Sequence, residues 1–440
     1  MKQLRLILIA AVGTALAQAP APSAGFPDAR ASDPVALGWM VGAPPPADKI
    51  IRFNDGSFYR FPQLRWSFSH WRELYPTVAI ARGSGPVSKL PRAERADLDA
   101  VSFLPLGGAQ SMTWAQSLEA NYTDGIIVLH RGQIIYERYL GALQPDGLHI
   151  AHSVTKSFVG TVAALLVAEG KLDANARVTQ YIPELEDSAY GDATVGQLLD
   201  MRIGLKFSEA YADPKAEIWD FARSANLMPR PTGYSGPETS YQFLRGTVKE
   251  GEHGAAFAYK SPNAELLGWL IRRVTGQRLE SVLSERLWRP LGMEQDGYMQ
   301  IDSSGAPLAA GGLNLQLRDL GRFCEMMRLG GRFNGQQILP AAVVADITRG
   351  GSREAFALAG YKTLPGWSYH NQWWVSHNAH GAFAARGVHG QTCYVDPAAQ
   401  MSIVRFASHP LASNPNLDPT SLPAYAAMAD HLLKTSAPKR

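Results

Sequence analysis

Strand patterns stand at both ends of this chain with helical patterns between them, and that order requires a sheet completed by its own two ends. Ile126-Ile-Val-Leu129, the glycine-containing turn His130-Arg-Gly132 and residues 133–139 read as an early hairpin. Residues 372–376, 390–395 and 401–406 read as late strands, the last two turned by Asp396-Pro397. Between them, Ser261 and Pro262 read as N-cap and first residue of a helix over 263–274 that Gly276 stops. Further helical patterns cover 279–291 and 317–328, and one over 424–434 closes the chain. No internal repeat is present.

The helix after the early hairpin carries the chemistry. In His152-Ser-Val-Thr-Lys156-Ser-Phe-Val-Gly160, apolar residues recur at helical spacing until Gly170, which puts Ser153 at a helix start and Lys156 one turn on, on the same face. A cation in a first turn opposes the helix dipole by about 0.3–1 kcal/mol, so this lysine calls for a reason. Burial and the dipole both lower its pKa, and a neutral amine there can take the proton of Ser153 Oγ. The plain alternative is a capping serine followed by a surface lysine. Ser436 and Lys439 repeat the spacing around Pro438 in the tail, where no apolar helix follows, and that copy is accidental.

Composition sets the setting for this pair. The chain has 440 residues, 46% hydrophobic and 18% charged, enough for one large globular domain or two. Lys2 and Arg5, the apolar run 6–12 and Ala15-Leu16-Ala17 read as a secretory signal cleaved before Gln18, so the protein is expected to be exported, to the periplasm or beyond. That apolar run is too short to cross a bilayer, and no later run of the necessary length lacks charges or helix breakers, so no stable membrane insertion is expected. Removing the signal takes the formal net charge from +3 to +1, which argues against a nucleic-acid partner. Cys324 and Cys393 lie far apart in sequence and read as two buried thiols, although export permits one bridge.

The expected organisation is a signal over 1–17, a Pro-rich leader and loop-rich aromatic lobe over 18–110, an α/β domain from 111–170 and 285–436, and a mainly helical insertion over 171–284. The polar loop 207–214 within the insertion has the length of a functional loop.

Three separated motifs now resemble one family. Ser153-Val-Thr-Lys156, Tyr259-Lys-Ser261 before a helix, and Gly387-Val-His389-Gly390-Gln391 resemble, in order and spacing, the active-site motifs of the serine β-lactamase and penicillin-binding-protein superfamily. The chain is most similar to its class C and esterase branch, and within that to 6-aminohexanoate-dimer hydrolases. Tyr181-Ile-Pro-Glu-Leu185, Gln197-Leu-Leu-Asp-Met201, Phe207-Ser-Glu209, Tyr211 and Gly311-Gly-Leu313 extend the likeness. The resemblance implies an α+β fold, a β-lactamase-like antiparallel sheet flanked by helices with an all-helical insertion. It implies Ser153 as nucleophile, Lys156 as its base and Tyr259 as the proton carrier to the leaving group. It also implies an oxyanion hole from the backbone N–H groups of Ser153 and of Gln391 on an edge strand. Tyr211, Ser261, His389 and Gly390 would line the substrate, Tyr211 by closing over it. The usual Lys-Thr-Gly of the third motif reads Val388-His389-Gly390 here, so the cation that meets a β-lactam carboxylate is absent or a histidine.

The expected activity is hydrolysis of small-molecule carboxylic esters or linear amides through an acyl-enzyme, with no cofactor and no metal. His377 and His380 are the nearest to a ligand pair, but they follow a strand pattern and no His-Glu-x-x-His run exists. The absence of Gly-x-Ser-x-Gly argues against an α/β-hydrolase. A D-alanyl-D-alanine carboxypeptidase or weak β-lactamase is the alternative enzyme, disfavoured by the third motif. A catalytically silent binding or sensor protein is the other, disfavoured by the intact Ser153, Lys156 and Tyr259. Lys260 has no role assigned.

Overall fold

Continuous apolar runs such as Ile126-Ile-Val-Leu129 dictate a sheet covered on both faces. The computed structural model describes residues 25–436, so the expected signal and Lys439 lie outside the described residues. Its principal strands are β1 (Thr77–Ile80), β2 (Thr123–His130), β3 (Gln133–Tyr139), β4 (Leu148–Ile150), β5 (Gly297–Gln300) and β6 (Leu313–Gln316). Those that follow are β7 (Ser368–His370), β8 (Trp373–Val375), β9 (Phe383–Arg386), β10 (Thr392–Asp396) and β11 (Met401–Ala407). The large antiparallel sheet runs β7-β8-β9-β10-β11-β2-β3, with the early hairpin joined to the late strands through β2 and β11, where Val128 faces Ile403. Ile126 and Val128 point to one face and Ile127 and Leu129 to the other, as the two-residue period of a strand requires.

Helices cover both faces. On the first, α1 (Trp114–Ala120) and the closing helix Asp418–Ser436 bury Trp114, Leu118, Met428 and Leu432 against Val128 and Ile403. On the second lie α2 (Val154–Ala168), α3 (Ser261–Thr275) and α4 (Leu317–Arg328), with Phe158 of α2 stacked on Phe323 of α4 at 3.7 Å. The helical stretch 171–284 shares this second core rather than forming one of its own: Leu198, Leu267 and Leu270 join it with Ile127 and Val404. A small sheet, β1-β5-β6-β4, delivers the chain to α2.

Aromatic residues of the loop-rich stretch pack together and against the small sheet. Phe58, Phe68 and Trp71 form a third core, and buried Arg65 ties the lobe down. Its guanidinium stands 3.5 Å from Asp124 of β2 and donates to Ser408, while Asp124 also accepts from Ser408 and contacts His149.

One expectation is corrected. Cys324 on α4 and Cys393 on β10 form a disulfide, with Cα atoms 5.9 Å apart, instead of two buried thiols. α4 crosses the face toward which Cys393 points, a juxtaposition that a sequence separation of 69 conceals.

Candidate active site

The turn that presents Ser153 is made by its neighbour. After β4, His152 adopts a left-handed conformation (φ 44°) before Ser153 begins α2 as its N-cap. A non-glycine residue held there stores on the order of 1–3 kcal/mol and persists only where the surroundings over-determine it; Phe68 and Trp71 pack edge-on against the His152 ring. An N-cap serine ordinarily accepts a backbone N–H of the first turn. Ser153 caps nothing, and its Oγ accepts from Lys156 Nζ at 2.9 Å.

Lys156 is 1% exposed, and its Nζ also donates to the Ala310 carbonyl at 2.6 Å. Burial pulls its pKa down to about 8, against the opposing pull of Glu209 and Glu265. Above that pH the group is a neutral amine aimed at a hydroxyl, the state that can accept the serine proton.

Tyr259 stands on the other side of Ser153. Its ring stacks on Trp374 at 5.5 Å, and Lys156 Nζ lies 5.2 Å from its centroid. Burial, reinforced by Glu209, holds the phenol well above its usual range, and the hydrogen bond with Ser153 opposes that rise. It therefore keeps its proton at ordinary pH. The three groups that sequence reasoning singled out converge.

They do so at the meeting of two lobes of a cleft. The outer lobe, about 180 Å³, is bounded by Glu209, Tyr259, Tyr361, Trp374, Arg386 and Asp418. The inner lobe, about 50 Å³, is mostly apolar, with Ile218, Phe221, Leu227, Met228 and Leu308 around Lys156. Ser153, Tyr211 and Val388 line both.

Tyr211 borders the cleft and donates to Glu209 at 3.0 Å. Ser261 lines the inner lobe, and it caps nothing: the N-cap of α3 is Lys260, while the Ser261 N–H donates to Glu209. The helix-capping explanation of Ser261 therefore fails. Lys260 donates to the Leu205 carbonyl and borders neither lobe.

The third motif is displaced. His389 is buried away from the cleft, its Nδ1 donating to the His409 carbonyl at 2.6 Å and its Nε2 facing the Tyr59 hydroxyl at 3.2 Å. Burial lowers its pKa to about 4, so it is a neutral joint to the aromatic lobe and not a substrate contact. Gly390 has φ 102°, and a Cβ there would meet Leu417 and Ala407, so the constraint comes from packing and not from substrate. Gln391 is fully buried, its side chain donating to the Ala407 carbonyl, and β10 beyond it is an interior strand between β9 and β11, not an edge. Three residues earlier the backbone does reach the serine. A Cβ on Gly387 would lie 3.1 Å from Ser153 N, and Val388 borders both lobes. Either of two glycines three residues apart satisfies the sequence pattern; only the fold selects the first.

Sequence reasoning also missed the charges of the outer lobe. Arg386, just before Gly387, pairs with Asp418 and lies 5.2 Å from the Trp374 ring. A cation is thus present beside the serine, but a buried carboxylate neutralises it. Among the described residues no group of three or more His, Cys, Asp or Glu side chains is placed to hold a metal, and no helix is long and apolar enough to cross a membrane.

The chain is similar to known proteins. The Beta-lactamase family model matches residues 115–421. The 6-aminohexanoate-dimer hydrolase of Paenarthrobacter ureafaciens is 36% identical over 356 residues, 80% of this chain and 88% of that protein. A solved structure from Bacillus anthracis, provisionally titled a 6-aminohexanoate-dimer hydrolase, superposes with a TM-score of 0.80 at 32% identity, covering 89% of this chain and 99% of its own. A provisionally named D-alanyl-D-alanine carboxypeptidase of Escherichia coli K12 is 25% identical over 56% of this chain and 60% of that protein.

Proposed function

This chain belongs to the beta-lactamase family of serine hydrolases, and from that membership we propose that it cleaves carboxylic esters or linear amides through an acyl-enzyme on Ser153. One observation carries the reading: a buried amine 2.9 Å from a serine hydroxyl, at the junction of the two lobes of the cleft. Neutral Lys156 takes the Ser153 proton as Oγ attacks the acyl carbon. Tyr259, which keeps its proton, delivers one to the departing oxygen or nitrogen and recovers it through Lys156. Water then repeats the path against the acyl-enzyme.

Tyr259 borders the outer lobe and not the inner, so the leaving group occupies the outer lobe and the apolar inner lobe takes the acyl chain. The oxyanion is held by the backbone N–H groups of Ser153 and Val388, in place of Gln391; such donors are each worth about 2.7–4 kcal/mol in comparable sites. Gly387 allows the two to approach. In Gly387→Ala a Cβ would fall 2.8 Å from the Ala151 carbonyl and 3.1 Å from Ser153 N. Ester turnover should fall about 10²-fold, the cost of a displacement near 1 Å. A full-rate variant would remove Val388 from the oxyanion site.

A substrate panel tests the activity. Short-chain p-nitrophenyl esters, which carry no carboxylate, should turn over faster than a D-alanyl-D-alanine peptide or a chromogenic cephalosporin, because Asp418 already occupies the Arg386 cation that a substrate carboxylate needs. The reverse order would favour a cell-wall enzyme. We also propose that the protein works outside the cytoplasm, a reading supported by the amino-terminal sequence and by a disulfide that an oxidising compartment preserves.

A further inference from the structure

Behind Lys156 stands a carboxyl group that the reaction above does not use. Glu265 lies on α3, one turn after Ser261, and is 2% exposed. Its Oε2 accepts the Ala310 N–H at 3.0 Å, and the carbonyl of the same residue accepts from Lys156 Nζ at 2.6 Å. Amine, Ala310 and carboxyl thus form one chain of hydrogen bonds running inward from the nucleophile. α3 approaches closely enough because residue 268, one turn further along, is glycine: a Cβ there would lie 2.6 Å from the Ala309 Cβ.

We propose that Glu265 is a positioning residue, which fixes the Ala310 carbonyl on Lys156 Nζ and supplies the negative charge that stabilises the ammonium formed when Lys156 takes the Ser153 proton. The Ala310 N–H and carbonyl belong to adjacent peptide groups, so the carboxyl acts by holding the Ala310 backbone in place, and a charge arranged for a cation that develops during reaction lowers the barrier more than it stabilises the resting amine. Burial, with Asp302 adding to it, pushes the Glu265 pKa up to about 8, into the range to which Lys156 has fallen. The other titratable groups facing them are Glu209 and Tyr259 on the cleft side, His152 before α2, Asp302 after β5 and Tyr241. Asp302 is engaged by Ser240 and Ser304.

This assignment rests on the acyl-enzyme reading, and one experiment separates the two. The rate of fluorophosphonate labelling at Ser153 is followed by intact mass and peptide mapping from pH 6 to 10 in wild type, Glu265→Gln and Glu265→Asp, with thermal melts of each. Glu265→Gln keeps an acceptor for Ala310 but no charge. Its labelling should be at least about tenfold slower on the plateau, and its rising limb should move down by about half a pH unit or more, because the charge that favours the ammonium is gone. Glu265→Asp keeps the charge but falls short of Ala310, and should be slowed with its limb near the wild-type pH. A Glu265→Gln limb coincident with wild type overturns the proposal even where the rate or the melting temperature has fallen. Should that variant not fold, Glu265→Asp labelling at the wild-type rate overturns it equally. Wild-type protein that is not labelled at Ser153 defeats the acyl-enzyme reading and this inference with it.

Discussion

Ser153→Ala will take up no fluorophosphonate, and its turnover of a p-nitrophenyl ester will fall by at least about 10³-fold, as loss of a covalent nucleophile does elsewhere. The variant loses only an oxygen, at a residue whose side chain caps no helix. Its melting temperature should therefore stay close to wild type, and loss of activity cannot be ascribed to unfolding. Intact-mass spectrometry after probe treatment decides the matter. A labelled Ser153→Ala protein, with the adduct mapped to another serine, would overturn the assignment.

Lys156→Ala will lose at least about 10²-fold in kcat/KM, because proton transfer by a positioned base contributes about 10²–10⁴-fold. In wild type the rate should climb as pH rises through about 8, where burial has placed the lysine pKa; the variant should lack that limb. A near-normal rate, or an unchanged limb, would rule Lys156 out as base. Stability responds in the opposite direction. A lysine lowered from 10.5 to about 8 binds its proton more weakly folded than unfolded. Its cost is complete below about pH 8, amounts to about 3 kcal/mol there, and fades as pH rises toward 10.5. Lys156→Met, which fills the same space without charge, should melt above wild type at pH 6 and lose that margin as pH rises, by differential scanning calorimetry.

The parts of the chain legible in sequence were those with local causes. Ser153 and Lys156 meet because one helical turn makes them meet, and Gly276 stops α3 at the predicted place with φ 68°. The β2–β3 hairpin and its partner β11 follow from short apolar runs bounded by turn residues. What stayed hidden depends on distant partners. β1 and β5 are four residues each and pair Thr77 with Gln300, a contact with no local signal. Ser261 looked like a cap because serine precedes proline, yet the helix begins one residue earlier than that pattern implies. Arg386 could not be read as a neutralised cation without knowing that the closing helix brings Asp418 to it. The choice between Gly387 and Gly390 depends on which turn reaches Ser153, which the sheet settles.

The pairing of β2 with β11 joins early and late parts of the chain during biosynthesis. A ribosome releases β2 well before β11, and contacts so separated along the chain form slowly. Until the final strand docks, the early hairpin lacks its neighbour, and Asp124 lacks Ser408, which helps to anchor Arg65 and the lobe behind His152. An unfinished polypeptide consequently holds the nucleophile motif without the walls that make it reactive, and catalytic competence arrives only with completion of the whole molecule.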